Sequence, residues 1–217
     1  MIVGFVTIGQ SPRTDVLSEI RQYLGRAEVV ECGALDGLTL KDVEELRPGP
    51  GEYILVTRMR EGTQVKLGRE KIRGRVQGCV DKVSEVADVV VFICTGEFPG
   101  IKTSKIFIDP STLLENVVKA LGVRRLGVII PSPEQKGEVR GKWEGVADEV
   151  CVEASSPYSG SDEALREAAS HLKDCDVVVL DCVGYGLGAK EIVREVSGRP
   201  VILARTLIGR VVGELVV

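Results

Sequence analysis

Short apolar runs rich in valine and isoleucine recur along the chain, each ended by Gly, Pro, Ser or Asp and followed by a stretch with helical spacing. Continuous runs of this length are typical of parallel strands that are buried on both faces, connected by helices. The pattern predicts an α/β fold with an open, mostly parallel sheet and ligands at the carboxyl ends of the strands. The predicted strands cover residues 2–8, 28–33, 53–58, 88–94, 125–131, 148–153, 176–182 and 200–203.

Helix boundaries are marked by capping residues and glycines. Ser11 and Pro12 predict a cap and a first-turn proline for the helix "RTDVLSEIRQYL". Asp109 precedes a helix that Gly122 ends, and Ser161 precedes "DEALREAASHL". These signals place a helix after each of three predicted strands.

Two stretches of the chain nearly repeat each other. "DVVVFICTGEF" begins at Asp88 and "DVVVLDCVGYG" begins at Asp176, and each has an Asp, three valines and then a Cys followed by Gly two residues on. "VGFVTIGQSP" and "LGVIIPSP" are also similar, each as a strand followed by a Ser-Pro turn. The repetition predicts two pseudo-symmetric α/β lobes with a ligand cleft between them, one at 1–110 and the other at 111–204.

The two halves differ in length, which an insertion in the first half explains. The stretch near 47–78 is the candidate, because "VTRMREGTQVKLG" reads as a β-hairpin that turns near Glu61 and Gly62. The C-terminal segment 205–217 is apolar at helical spacing, and we expect it to pack back on the first lobe.

The composition and net charge of the chain indicate which classes of binding partner to expect. The chain has 217 residues, a formal net charge of −4 and a sequence pI near 5.3, and its most basic run, "GREKIRGR" from Gly68, spreads its cations around a helix as a solvated face. Nucleic acid and anionic membrane are therefore not expected as partners, because both are bound by clustered Lys and Arg. No run is apolar for long enough to span a bilayer, and no leader pattern precedes the first strand, so a cytoplasmic protein with a small ligand is expected.

The six cysteines show no CxxC pair and no regular framework, which predicts free thiols and no metal site. Cys94 and Cys182 stand apart because each follows a buried strand and begins a Gly-containing turn, where α/β folds hold functional groups. The other four, Cys32, Cys79, Cys151 and Cys175, are expected to be structural.

A matched pair of cysteines has a chemical use. A thiolate on one face of a carbon acid can remove a proton while a thiol on the other face delivers one, without metal or cofactor. The alternative from the same residues is that Cys94 and Cys182 are two buried thiols that pack as small apolar side chains.

A small carboxylic acid would need hydrogen-bond donors near these thiols. The turn "GQSPRT" offers hydroxyls and a guanidinium, the equivalent "IIPSP" turn offers another hydroxyl, and the glycines of the two Cys turns let backbone amides converge on an anion. The predicted binding residues are Ser11, Arg13, Thr14, Thr95, Gly96, Ser132, Val183 and Gly184.

The motifs "FVTIGQSPRTDV", "ILVTRMREGTQVKL", "VVVFICTGEF", "LGVIIPSPEQ" and "VVLDCVGYG" together resemble the AroM family over essentially the whole chain. That family is similar in outline to the aspartate/glutamate racemase superfamily, with hydantoin racemases, maleate isomerases and arylmalonate decarboxylases. The resemblance implies two lobes, no cofactor, and two catalytic thiols at Cys94 and Cys182. It also allows a homodimer and gives a link by name to aromatic amino-acid metabolism.

The turns depart from the amino-acid racemases of that superfamily. Those enzymes typically follow the first Cys with Asn-Thr and the second with Thr-His, whereas this chain has Thr95-Gly96 and Val183-Gly184. The first hypothesis is therefore an isomerase-type enzyme of unassigned substrate that acts on the carbon next to a carboxylate. The alternative is a non-catalytic protein that binds a small carboxylate, such as an aromatic-pathway metabolite.

Overall fold

The computed structural model describes all residues 1–217 and contains ten strands and eight α-helices. The strands are β1 Ile2–Thr7, β2 Glu28–Gly33, β3 Ile54–Arg58, β4 Gln64–Gly68, β5 Val89–Phe92, β6 Ile106–Ile108, β7 Arg125–Ile130, β8 Glu149–Ala154, β9 Val177–Leu180 and β10 Val201–Leu203. The helices are α1 Thr14–Ile20, α2 Leu40–Glu44, α3 Arg69–Ser84, α4 Pro110–Leu121, α5 Lys136–Trp143, α6 Asp162–Ser170, α7 Leu187–Ser197 and α8 Ala204–Val216. None of the helices is both long and apolar enough to cross a lipid bilayer.

The chain forms two compact units, one of Met1–Pro110 with Ile208–Val217 and the other of Ser111–Leu207. The first contains a parallel sheet in the order β2-β1-β5-β6, and the second a parallel sheet in the order β8-β7-β9-β10. In both sheets the first strand of the unit lies between the second strand and the strand that leads to the predicted catalytic Cys. The expected fold of two pseudo-symmetric α/β lobes is confirmed.

The strand register repeats as well as the order. Gly4 of β1 lies opposite Val90 of β5, and Gly127 of β7 lies opposite Val178 of β9. Val90 and Val178 each stand four residues before the Cys of their turn. The near-repetition in sequence therefore records one structural unit that the chain uses twice.

The aspartate that opens each repeat makes the same contact. The Asp88 carboxylate accepts a hydrogen bond from the backbone N–H of Ile2 at 2.8 Å, and the Asp176 carboxylate accepts one from Arg125 at 2.8 Å. Each aspartate thus ties the start of its Cys strand to the start of the neighbouring strand. Two backbone amides, those of Arg124 and Arg125, hold the pKa of Asp176 below its usual range by hydrogen bonding to the charged form.

The predicted β-hairpin is confirmed. Strands β3 and β4 pair antiparallel, with Arg58 opposite Gln64, and form a separate two-stranded sheet in the first unit. Gly62 lies in the connecting turn with φ +110°, a conformation that a residue with a side chain rarely adopts. The hairpin therefore turns where the sequence places it.

The end of the chain packs within the first unit. A Cβ at Gly209 of α8 would stand 2.5 Å from the ring of Tyr23, so this position has room only for hydrogen. The Arg210 guanidinium lies above the same ring, 5.5 Å from its centre. These contacts place the final turns of α8 against the segment that follows α1.

Candidate active site

The first candidate turn begins at Cys94, just beyond β5. All four residues of β5 are buried, and the Cys94 side chain is buried with them. The backbone N–H of Gly96 donates a hydrogen bond to Cys94 Sγ at 3.3 Å. A Cβ on Gly96 would come within 2.5 Å of Leu55 in the hairpin, so glycine is needed where β3 covers the turn.

Polar contacts from two other elements hold this turn. The Glu97 backbone N–H donates to the Tyr53 hydroxyl at 3.3 Å, and the Glu97 carbonyl accepts from Arg69 Nη1 of α3 at 3.2 Å. Arg73 of the same helix donates to the carbonyl of Pro99. Lys71 and Arg75 of this basic segment are exposed, and the guanidinium groups of Arg69 and Arg73 also bind carbonyls of the Cys94 turn.

The second candidate turn begins at Cys182, just beyond β9. The Gly184 N–H donates to Cys182 Sγ at 3.4 Å, as Gly96 does in the first turn. The Tyr158 hydroxyl also lies 3.8 Å from this sulfur. Arg205, which is buried, donates to the carbonyls of Val183 at 3.0 Å and Gly184 at 2.9 Å. The Arg205 guanidinium thus holds the turn by its carbonyls, and the Gly184 N–H of the same turn donates to the thiol.

Gly184 is packed as tightly as Gly96. A Cβ at this position would stand 2.6 Å from Cζ and Oη of Tyr158. Next in the chain, Tyr185 is buried and its hydroxyl donates to the Ser155 carbonyl at 2.5 Å. Burial raises the pKa of Tyr185 well above its ordinary value, so this hydroxyl stays protonated.

The Ser11 turn follows β1 at the same sheet edge as the Cys94 turn. Ser11 donates through its backbone N–H to one Asp36 oxygen at 2.8 Å and through its hydroxyl to the other at 2.6 Å. Helix α1 begins only at Thr14, and Arg13 stands at the cap position without a side-chain cap bond. The prediction of Ser11 as a helix cap is wrong, because its hydroxyl is bonded to Asp36 instead.

Charges around Arg13 are largely balanced within the protein. The buried guanidinium donates to both oxygens of Asp15 at 2.9 Å and to the Thr7 hydroxyl at 3.2 Å. The Arg13 backbone N–H donates to Glu31 at 2.7 Å. Burial nonetheless raises the pKa of Glu31. Thr14, the next residue, is exposed.

Ser132 follows β7 at the same sheet edge as the Cys182 turn. Its side chain is buried, and its hydroxyl donates to Glu134 at 2.7 Å. Thr95, beside the first thiol, is also buried. Each unit therefore brings its own Ser turn and its own Cys turn to one edge of its sheet.

The remaining cysteines differ from the prediction of six free thiols. Cys32 of β2 and Cys79 of α3 form a disulfide, with Cα atoms 5.4 Å apart. The prediction failed because the packing of a helix on a strand, and no local spacing, brings these residues together. Burial, with a contribution from the neighbouring Cys151, raises the pKa of Cys175 to about 12, so this thiol stays protonated.

Sequence reasoning missed a buried ion pair beside the second turn. Lys142 of α5 contacts both oxygens of Asp181 at 2.9 and 3.0 Å, and the Trp143 indole N–H donates to Asp181 at 3.0 Å. One signal was present: Asp181 interrupts an otherwise apolar strand end, and a buried carboxylate needs a partner. Nothing local identifies Lys142 as that partner. No group of three or more His, Cys, Asp or Glu side chains is arranged to hold a metal ion.

The profile of one known family, described as AroM protein, matches residues 3–216. The chain belongs to the AroM family. None of the curated proteins matched the sequence of this AroM family member.

Solved structures with the same fold come from the aspartate/glutamate racemase superfamily. A liganded double mutant of arylmalonate decarboxylase has a TM-score of 0.67 at 16% identity, covering 99% of this chain and 92% of its own. Aspartate racemase from Picrophilus torridus has a TM-score of 0.63 at 13% identity, covering 99% and 94%. Allantoin racemase from Klebsiella pneumoniae has a TM-score of 0.66 at 14% identity, covering 100% and 87%. These structures share the fold of this AroM family chain.

Proposed function

We propose that the chain is a cofactor-independent racemase or isomerase that moves a proton at the carbon next to a carboxylate of a small acid, with Cys94 and Cys182 as the acid/base pair. One observation carries the proposal. Each thiol follows an equivalent strand, and the amide two residues on donates to its sulfur, at 3.3 Å from Gly96 and 3.4 Å from Gly184. A donor at this position favours the thiolate that proton abstraction requires.

The reaction balances without an oxidant or reductant. One Cys, as thiolate, takes the proton from the α-carbon and becomes a thiol, and the electron pair of the C–H bond passes into the carboxylate as an enediolate. The other Cys, as thiol, gives its proton to the opposite face of that carbon and becomes a thiolate. The product has the opposite configuration, and the two thiols have exchanged protonation states.

The enediolate needs hydrogen-bond donors more than the ground-state acid does. We assign this role first to the Val183 backbone amide and the Thr95 hydroxyl, because the Gly96 and Gly184 amides already donate to the two sulfurs. Ser11 and Ser132 are weaker candidates, because each hydroxyl already donates to an internal carboxylate.

Arg13 and Thr14 are also candidates for binding the carboxylate. The Arg13 guanidinium is paired with Asp15, whereas the Thr14 side chain is exposed to solvent. The fold neighbours are named for racemisation and decarboxylation, which supports chemistry at such a carbon.

Deuterium uptake from D2O tests the proposal. The wild-type protein is incubated with a panel of small chiral and unsaturated carboxylic acids, and α-deuterium is measured by mass spectrometry. We expect uptake into at least one acid, reduced at least about 10²-fold in Cys94→Ser and in Cys182→Ser. The matched control is Cys151→Ser, which changes a free, partly exposed Cys on β8 and should leave uptake unchanged.

Two results would count against the proposal. Full uptake in both Cys variants would remove the thiols from the mechanism. Tight, saturable binding of an acid without any uptake during long incubation would instead support the alternative of a carboxylate-binding protein.

A further inference from the structure

The ion pair between Lys142 and Asp181 is the most deeply buried charged contact beside either candidate turn. Both side chains are only 2% exposed, and the Lys142 ammonium lies 2.9 Å from the nearer carboxylate oxygen. Removing two charges from water costs free energy that an apolar pair would not, so such a pair is weak evidence for a purely stabilising role. Its position therefore needs another explanation.

Asp181 is the residue directly before Cys182, at the end of β9. At an effective dielectric constant of about 20, a unit charge about 7–10 Å from a titrating group changes its protonation equilibrium by about one to two pKa units. The equivalent residue before Cys94 is Ile93, which is buried and carries no charge. The ion pair thus accompanies only one of the two thiols.

Several titratable or charged groups surround the Cys182 turn. The Tyr158 hydroxyl approaches the sulfur from the β8–α6 segment, and the Arg205 guanidinium binds the turn carbonyls from the start of α8. The charged or titratable side chains with contacts on or beside this turn include Lys142, Tyr158, Asp181, Tyr185 and Arg205. Of these, Asp181 is the only carboxylate, and Lys142 neutralises it.

We propose that Lys142 and Asp181 are a positioning pair that sets the proton affinity of Cys182 while holding the end of β9 in place. As a pair they are close to neutral, so the thiol loses its proton with the help of the Gly184 amide and without repulsion from Asp181. The catalytic meaning of this inference rests on the proposed function, but the proton affinity of Cys182 can be measured without turnover.

Three variants separate this role from a structural one. Lys142→Met leaves the Asp181 charge without its ammonium, so the titration midpoint of Cys182 should rise by about one pH unit. Asp181→Asn leaves the Lys142 charge, so the midpoint should fall by a similar amount. The double variant Lys142→Met/Asp181→Asn removes both charges and should return to within about 0.3 units of wild type.

The midpoint is read from thiolate absorbance near 240 nm, as the difference between each protein and the same protein carrying Cys182→Ser. Opposite shifts in the two single variants would support the inference, because loss of packing alone has no reason to change sign with the charge removed. Shifts in the same direction, or no shift, would overturn it. If a single variant does not fold, Lys142→Gln or Asp181→Ser makes the same change of charge and should shift the midpoint in the same direction as the variant it replaces; an unchanged midpoint would overturn the inference.

The outcome is distinguishable from failure of the proposed function. If the Cys182 midpoint shifts in opposite directions in the two single variants but no acid takes up deuterium, the ion pair does set the proton affinity of Cys182, and the proposed catalysis is wrong. If deuterium uptake depends on Cys182 but the midpoint does not shift in either single variant, the catalytic proposal stands and the role of the ion pair is wrong.

Discussion

Replacing Gly184 by Ala tests whether the second turn is packed as described. The added Cβ would stand 2.6 Å from Cζ and Oη of Tyr158 and 2.8 Å from Cε1, whereas carbon atoms in contact normally lie about 3.5–4 Å apart. The ring must move by roughly 1 Å, which also disturbs the 3.8 Å contact between its hydroxyl and Cys182 Sγ. Overpacking of this kind costs about 1–3 kcal/mol of unfolding free energy.

Thermal and urea unfolding measure this cost. For a chain of this length a loss of about 2 kcal/mol lowers the melting temperature by roughly 4–8 °C. The matched control is Gly188→Ala, four residues on in α7, where a Cβ meets nothing within 4 Å. This change should stabilise the protein by about 0.5–1 kcal/mol, because alanine is the better helix former.

A double variant isolates the contact. In a Tyr158→Ala background the ring is absent, so Gly184→Ala should cost much less than it does in the wild type. The reasoning would be refuted if Gly184→Ala unfolds like the wild type, or if its full cost persists without the ring.

Two further predictions concern the first unit. The Cys32–Cys79 disulfide closes a loop across a sequence separation of 47. Replacing both residues in Cys32→Ala/Cys79→Ala should therefore lower the unfolding free energy by about 2–4 kcal/mol in urea titrations. Thiol counting of the unreduced, denatured wild-type protein should find four thiols, not six. Burial raises the pKa of Glu31, so the folded state favours the protonated carboxyl and this contribution to stability is lost as pH rises above about 4. Glu31→Gln, which keeps an acceptor for the Arg13 amide, should gain stability relative to wild type between pH 3 and pH 7; a constant difference across that range would contradict the assignment.

The strands could be predicted because their signal is local. Runs such as "VVVF" are buried on both faces, and their length and Val content identify them without knowledge of their neighbours. All eight predicted strands are present, with ends that differ by at most two residues. Strand β6 was missed because it has only three residues and begins with the exposed Ile106.

Contacts between distant residues could not be predicted in the same way. The Cys32–Cys79 disulfide depends on how α3 packs on β2, and the bond from Ser11 to Asp36 depends on the path of the loop after β2. The partner of Asp181 likewise lies on a helix 39 residues earlier. The two Cys turns could be placed because their sequences nearly repeat, so each segment could be compared with the other. Lys142 could not be found in this way, because its contact has no equivalent in the first unit.

Separated enantiomers test whether Cys94 and Cys182 act on opposite faces of one carbon, as we propose. The acid with the fastest deuterium uptake is supplied as each pure enantiomer in D2O to the wild type, Cys94→Ser and Cys182→Ser. We expect both variants to lose interconversion by at least about 10²-fold, with residual uptake confined to one enantiomer in Cys94→Ser and to the other in Cys182→Ser. Equal uptake from both enantiomers in either variant, or interconversion at the wild-type rate, would contradict it.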